Sequence, residues 1–171
     1  DRNIHFRVDD SIPRLMDGKP LMLRRARGYT PTPIRLSFEM PQLFAVGADL
    51  KNTICFTKGH NAFLSQHLGD MENLDSHDSL EMVADHLMHI LNIKPEIVTC
   101  DMHPDYFSTR FANKIATNHR SPITEVQHHH AHIASCMAEN DLPNEKVIGI
   151  ALDGTGFGTD GTIWGGEVLM A

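Results

Sequence analysis

The pattern of apolar and polar positions changes along the chain, and each change predicts a different kind of element. Residues up to about position 41 contain five prolines and show no sustained apolar period. That pattern predicts the end of one unit and a linker rather than an independent domain. From position 42, short apolar runs at 43–46, 53–56 and 62–65 alternate with turn residues. These runs predict a meander of three antiparallel strands.

After this meander the apolar period switches from that of strands to that of helices. Asp78 and Glu81 form a predicted capping box for a helix whose buried face has apolar residues at helical spacing: Leu80, Val83, Ala84, Leu87 and Leu91. Pro95 is predicted to end this helix, and Asp105 is the predicted N-cap of the next one. The remaining pattern predicts strands at 96–100, 123–126, 146–152 and 163–170 and helices at 106–117 and 129–139.

The resulting order is β-β-β-α-β-α-β-α, after which β-β begins again. Three antiparallel strands that lead into two βα units are the order of a ribonuclease-H-like subdomain, so the predicted fold class is α/β. In the actin, sugar-kinase and Hsp70 class, two such subdomains face each other across a nucleotide cleft. We therefore predict a linker region at 1–40, a first subdomain at 41–145 and the start of a second copy at 146–171.

Composition and charge narrow the classes of partner. The formal net charge of −7 argues against a nucleic-acid-binding surface. No apolar run approaches the roughly 20 residues that span a membrane, and no secretory leader is evident. Cys55, Cys100 and Cys136 form no CxxC pair, which indicates buried reduced thiols rather than disulfides or a cysteine zinc site. We therefore expect a cytoplasmic protein without nucleic-acid or membrane partners.

The histidine cluster at 128–132 offers metal ligands. His128 and His132 are four residues apart, so on a helix both project from one face and can reach one ion. For an arbitrary HxxxH a polar surface is the commoner interpretation, and the zinc-protease motif HExxH is excluded because His129 replaces its Glu. Asp153 favours the metal interpretation, because it follows a strongly apolar strand and carboxylates at strand ends project into α/β clefts.

Two predicted hairpins are candidate phosphate sites. Gly154 and Gly156 lack a Cβ where phosphate would approach the backbone, and Thr155 adds a hydroxyl donor. Lys51 and Asn52 lie in the hairpin that occupies the equivalent place in the first subdomain. Phosphate binding and a plain exposed turn are equally good interpretations of this Lys-Asn pair.

Two further groups of residues have alternative interpretations. A basic cluster with Arg25 and Arg27 lies near Ser11, and it is either a solvated turn or a guanidinium site for a triphosphate. Asp101 and His103 follow a predicted strand and are interpreted mainly as turn and capping residues. The alternative is that one of them faces the cleft.

Taken together, these runs resemble the HypF family of hydrogenase-maturation carbamoyltransferases. The matching runs cover nearly the whole chain, and their joint occurrence is highly specific: VDDS at 8–11, LRRARGY at 23–29, AVGADLKNT at 45–53, LSQHLGD at 64–70, DMHPDYFST at 101–109, VQHHHAH at 126–132 and the segment 153–167. The resemblance implies that residues before about Gly28 close a YrdC-like domain. The rest would open a domain similar to the universal tRNA-threonylcarbamoylation metalloprotein.

The chemistry that this resemblance implies begins with carbamoyl phosphate and ATP, which give carbamoyl-adenylate in the YrdC-like domain. In YrdC-like proteins a Ser and an Arg-containing strand end line the triphosphate, which would correspond here to Ser11, Arg25 and Arg27. The carbamoyl group then passes to the C-terminal Cys thiol of the partner HypE, on the way to the cyanide ligands of the nickel–iron centre. Zinc or iron would suit the mixed ligand set of His128, His132 and Asp153.

Two other classes of function remain open from the sequence. One is an actin-like ATP-binding module or sugar kinase in which the histidine cluster is incidental. The other is a docking module that keeps the fold and partner contacts without transferase activity.

Overall fold

A computed structural model describes residue 2 and residues 5–171. Its elements, in chain order, are β1 (Ile12–Met16), β2 (Lys19–Arg24), β3 (Ile34–Val46), β4 (Ile54–Leu64), α1 (Leu74–Leu91), β5 (Ile97–Asp101), α2 (Phe107–His119), β6 (Ile123–Val126), α3 (His128–Glu139), β7 (Ile148–Ala151), β8 (Gly156–Phe157), β9 (Ile163–Trp164) and β10 (Glu167–Met170). No helix in this described part of the chain is both long and apolar enough to cross a membrane.

A four-stranded sheet in the order β4-β3-β5-β6 organises the first part of the fold. β3 pairs with β4 in antiparallel fashion, whereas β3 with β5 and β5 with β6 are parallel. A buried apolar cluster combines strand residues such as Phe44 and Val98 with helix residues such as Leu80 and Phe111. Because β3, β5 and β6 are parallel, their carboxyl ends meet at one edge of the sheet, where polar side chains can converge.

The predicted three-stranded meander is wrong, because its second and third strands are one continuous strand, β4. The polar run between them does not break the ladder. Gly59 adopts a left-handed φ of +58°, and the pairing shifts register opposite it, so the irregularity is absorbed as a bulge. The N-terminal region is also more ordered than predicted, since β1 and β2 form a hairpin and β3 begins at Ile34. The predicted division of the chain at 40 and 145 stays a prediction.

Both predicted helix caps are wrong. α1 begins at Leu74, where the Asn73 side chain accepts a hydrogen bond from the Ser76 N–H at 2.9 Å. The predicted capping box therefore lies inside the helix. For α2 the cap comes from a distant turn, because the Asp49 carboxylate accepts hydrogen bonds from the N–H groups of Phe107 and Ser108, both at 3.0 Å. A local pattern cannot show a cap that lies more than fifty residues away.

The C-terminal strands form two small antiparallel pairs. β7 pairs with β10, and the shorter β8 and β9 pair with each other inside that connection. The predicted strand at 163–170 is therefore two strands, separated where Gly165 and Gly166 interrupt the side-chain pattern. This arrangement brings the β7–β8 connection, which contains Asp153, toward the N-terminal end of α3.

Candidate metal centre

The first two turns of α3 carry the two predicted histidine ligands. The helix follows β6 after a single residue, Gln127, whose side-chain oxygen accepts a hydrogen bond from the His130 N–H at 3.0 Å. This cap fixes the start of the helix at His128, so His128 and His132 lie one turn apart on the same face. Asp153 lies two residues beyond the end of β7, opposite that face.

Three potential ligand atoms form a nearly equilateral triangle. His128 Nε2 lies 3.0 Å from Asp153 Oδ2, and His132 Nε2 lies 3.2 Å from both of these atoms. Atoms that are each about 2.1 Å from one zinc ion must lie about 3.0–3.4 Å apart, so the triangle has the size that a shared ion requires. Two imidazoles and a carboxylate also suit zinc or iron chemically. The structure therefore brings the side chains of His128, His132 and Asp153 together, as predicted.

Hydrogen bonding to Asp101 dominates the electrostatics of His128. Asp101 Oδ2 lies 2.7 Å from His128 Nδ1, and this hydrogen bond raises the pKa of His128 above its ordinary value against the opposing effect of desolvation. The negative charges of Asp101 and Asp153 act in the same direction. The backbone N–H of Gly154 donates to Asp153 Oδ1 at 2.8 Å and is the main cause that lowers the pKa of that carboxyl group. The lowered pKa favours the charged form of Asp153.

Tight packing against two glycines holds α3 on the C-terminal strands. His129 and Ile133, also one helical turn apart, are buried on the neighbouring face of α3. A Cβ at Gly156 would lie 2.7 Å from His129 Cε1, and one at Gly149 would lie 2.2 Å from Ile133 Cδ1. The absence of these Cβ atoms lets the helix approach the strands closely, which brings Asp153 within reach of the two ligand histidines.

A groove of about 500 Å³ opens beside the triangle. Its walls consist mainly of small side chains from the ends of β3, β4 and β5 and from α3, and His128, His132 and Asp101 also line it. Its volume is within the range of small-molecule sites. Tyr106 lies near Asp101, and burial together with the negative charge of Asp101 raises the pKa of the Tyr106 hydroxyl group.

The predicted phosphate turn is only partly accessible. Gly154 and Thr155 are exposed, but Gly156 is buried against His129, so its missing Cβ serves helix packing rather than the approach of a phosphate. The N–H of Gly154 is already engaged by Asp153. Gly156 is therefore corrected from a phosphate contact to a packing position, and Thr155 is left as the accessible member.

The hairpin residues Lys51 and Asn52 are placed in different environments. Asn52 is buried, and its amide group donates to the carbonyl groups of Gly47 and Ala48 at 2.9 and 2.7 Å. Both amide hydrogens are thus used within the turn, so the prediction that Asn52 contacts phosphate does not agree with its placement. Lys51 is exposed and lines a second cavity of about 700 Å³.

That second cavity lies between the turn of Lys51 and the β1–β2 hairpin. Arg24, the last residue of β2, and Arg25, which follows it, line the cavity. Arg25 has a structural role, because its guanidinium group donates to the carbonyl groups of Tyr29 and Thr32 at 3.1 and 2.8 Å. The Arg24 guanidinium lies 3.8 Å from the Asp9 carboxylate, whereas the Lys51 side chain is exposed along this cavity.

Ser11 and Arg27, also predicted to bind triphosphate, are engaged in local contacts. The Ser11 hydroxyl donates to the Arg27 carbonyl and accepts from the Ala26 N–H, both at 2.9 Å. The Arg27 guanidinium lies 3.4 Å from Asp10. In this structure Ser11 therefore closes the local turn, and Arg27 is largely exposed beside an acidic neighbour.

The sequence alone does not show two features that support the candidate metal centre. Gln127 caps α3, which the local pattern does not predict, and Asp101, for which a position facing the cleft is only the alternative interpretation, contacts His128 directly. The position of Asp101 at the end of a strand, next to the strand that leads into α3, is the signal that could have identified it.

Comparisons with known proteins show the family to which this chain is similar. Residues 39–139 match the HypF Kae1-like domain, and residues 149–171 match the second subdomain of the carbamoyltransferase Kae1-like domain. The chain is 49% identical to carbamoyltransferase HypF of Rhizobium leguminosarum bv. viciae and 47% identical to that of Synechocystis sp.. Each alignment covers 99% of this chain and 22% of the relative. The chain thus spans about a fifth of the length of these curated relatives.

Solved structures give the same assignment. A crystal structure of full-length HypF in a phosphate- and nucleotide-bound form superposes with a TM-score of 0.91 at 48% identity, over 99% of this chain and 26% of that one. HypF of T. kodakarensis superposes with a TM-score of 0.86 at 42% identity, over 95% of this chain and 21% of that one. The predicted actin-like, ribonuclease-H-like α/β fold is confirmed by these matches. The chain belongs to the HypF carbamoyltransferase family.

Proposed function

We propose that this chain forms the metal-binding part of an ATP-dependent carbamoyltransferase of nickel–iron hydrogenase maturation. The triangle of ligand atoms from His128, His132 and Asp153, at the mouth of a groove of small-molecule size, is the observation that carries this proposal. Family membership supports carbamoyl transfer as the chemistry. The two histidines and the aspartate would hold one zinc or iron ion.

The reaction that we propose at this site is transfer of a carbamoyl group from carbamoyl-adenylate to the C-terminal Cys thiol of HypE. The bond between the carbamoyl carbon and the adenylate phosphate oxygen breaks, a carbon–sulfur bond forms, the thiol proton is released and AMP leaves. When bound, the ion would supply positive charge that neutralises the phosphate of the departing AMP. The adjoining groove, with walls such as Gly47 and Ala131, leaves space for the small carbamoyl group.

Carbamoyl-adenylate would itself be made from carbamoyl phosphate and ATP. The cavity shared by Lys51 and Arg24 supports binding of phosphorylated substrate, because two cationic side chains of different segments line one space. The exposed Thr155 hydroxyl is a further candidate phosphate contact, on the side of the metal triangle.

The test uses a full-length HypF in which this chain replaces the corresponding segment, because the chain spans about a fifth of its relatives. We expect His132→Ala to abolish carbamoyl transfer to HypE while carbamoyl phosphate-dependent exchange of pyrophosphate into ATP continues. The matched control is His130→Ala, an exposed residue of the same helical turn. Transfer that survives His132→Ala would contradict the proposal and favour a docking module without transferase chemistry here.

A further inference from the structure

Asp101 is a buried carboxylate that contacts His128 on the side of the ring opposite the three proposed ligand atoms. It is the last residue of β5 and only 6% of its side chain is exposed. One carboxylate oxygen, Oδ2, lies 2.7 Å from His128 Nδ1, and the other, Oδ1, accepts a hydrogen bond from the His103 N–H at 2.9 Å. His128 is thus held through the ring nitrogen that does not face the other ligands.

The segment around Asp101 is itself fixed by the buried Thr109. The Thr109 hydroxyl lies 3.1 Å from the carbonyl oxygen of Asp101 and 2.8 Å from that of His103, so it ties the end of β5 to α2. Asp101 therefore has both side-chain oxygens and its backbone engaged. A carboxylate supported in this way can determine the orientation of a neighbouring ring.

We propose that Asp101 is a positioning residue for metal binding, which keeps the His128 proton on Nδ1 and so leaves the Nε2 lone pair directed at the ion. This inference rests on the proposed metal site. Asp101 and Asp153 both contact the His128 ring as hydrogen-bond acceptors, and a neutral imidazole has only one N–H to donate. The contact of Nδ1 with Asp101, at 2.7 Å, is shorter than that of Nε2 with Asp153, at 3.0 Å, and therefore favours the proton on Nδ1. The ligand atom Nε2 is then deprotonated, points toward Asp153 and His132, and needs no change of tautomer when an ion binds.

Asp101→Asn provides a sharp test, because Asn has nearly the same shape. Its oxygen can accept the His103 N–H in place of Oδ1, which leaves the amide NH₂ facing His128 Nδ1. An amide donor there favours the tautomer with the proton on Nε2, the ligand atom. We therefore expect Asp101→Asn to weaken the metal site about 10–100-fold, and at least as much as Asp101→Ala does.

The measurement is the metal dissociation constant of the full-length HypF that carries this chain, obtained by competition with a chelator. The constant refers to the one metal ion per chain that is lost in His128→Ala. Nitrogen NMR of His128 in the metal-free protein gives a second readout, which should change from the Nδ1–H to the Nε2–H tautomer in Asp101→Asn. The matched control is Asp105→Asn, an exposed carboxylate four residues away.

The possible outcomes distinguish failure of the positioning role of Asp101 from failure of the proposed metal site. Metal affinity within about twofold of the original in Asp101→Asn, or an unchanged tautomer, would overturn the positioning role. If His128→Ala itself removes no metal, the proposed metal site fails, and the positioning role with it. A loss in Asp101→Ala alone, with Asn fully active in binding, would identify a space-filling role and also overturn the inference.

Discussion

Gly156 lies so close to the imidazole of His129 that a Cβ at position 156 would be 2.7 Å from His129 Cε1. The same Cβ would lie 3.1 Å from the Cβ of the neighbouring His128. This contact joins the helix that carries the two proposed histidine ligands to the segment that carries the proposed aspartate ligand. The spacing of the three proposed ligand atoms therefore depends on a glycine that is not one of the proposed ligands.

We expect Gly156→Ala to impair metal binding through this packing. The added methyl group meets a buried ring and helix atoms that cannot rotate away, so α3 must move from the strands, at a cost of about 1–3 kcal/mol. Faster amide exchange in α3 and a lower metal occupancy are the expected measurements.

Gly154→Ala is the matched control for that experiment. A Cβ at Gly154 would have no neighbour within 4 Å, and the N–H that supports Asp153 is retained. This variant should keep its metal and the exchange rates of α3. Equal losses in both variants would show that the turn, rather than the contact with His129, is what matters.

A second prediction concerns the capping of α2. Asp49→Ala removes the acceptor for the first N–H groups of the helix, Phe107 and Ser108, so we expect that end to open more easily by about 1 kcal/mol. Hydrogen exchange of the N-terminal amides of α2 should therefore accelerate about fivefold. Asp105→Ala, at the position that the sequence favours as cap, should change exchange little. The reverse ranking would contradict the observed cap.

The three cysteines should differ in reactivity. Burial raises the pKa of Cys55 and of Cys100 to about 11, whereas Cys136 is exposed. At pH 8 only about one in a thousand of the Cys55 and Cys100 thiols is ionised, and the thiolate is the reactive form. Mass spectrometry after brief iodoacetamide treatment should therefore find the label on Cys136. Early labelling of Cys100 in the folded protein would contradict its burial.

The same pKa values predict how stability depends on pH. Because the thiol pKa rises from 9.0 to about 11 on folding, the folded state keeps these protons where the unfolded chain loses them. The contribution to folding stability is complete below pH 9 and is lost as pH rises toward 11. Replacing Cys55 with Ala should reduce that alkaline loss, as measured by urea unfolding at pH 8 and pH 10. An unchanged pH dependence would contradict the raised pKa.

The sequence was most informative where chemistry and local periodicity coincide. The spacing of His128 and His132 on a helix, and the strand-end position of Asp153, predicted a group of ligands that the structure does bring together. The strand at Ile123–Val126 and the overall α/β class also follow from short-range pattern. These features depend on residues within a few positions of one another.

Features that depend on tertiary contacts could not be predicted in this way. The carboxylate of Asp49 caps a helix far along the chain, and Gly156 is small because of His129 rather than because of a ligand. The prediction that Asn52 contacts phosphate does not agree with its placement for the same reason, since the NH₂ group of its side chain donates to carbonyl groups of its own turn. In each case the type of residue was informative, but its partner was decided by the fold.

The number of metal ions bound per chain is the most direct test of the central claim. We expect His128→Ala, His132→Ala and Asp153→Asn each to lower the metal content of the full-length HypF that carries this chain by one equivalent, because all three contribute to one triangle of ligand atoms. His130→Ala, on the exposed side of the same helix, should leave the content unchanged. Retention of the full metal content by all three ligand variants would contradict the account.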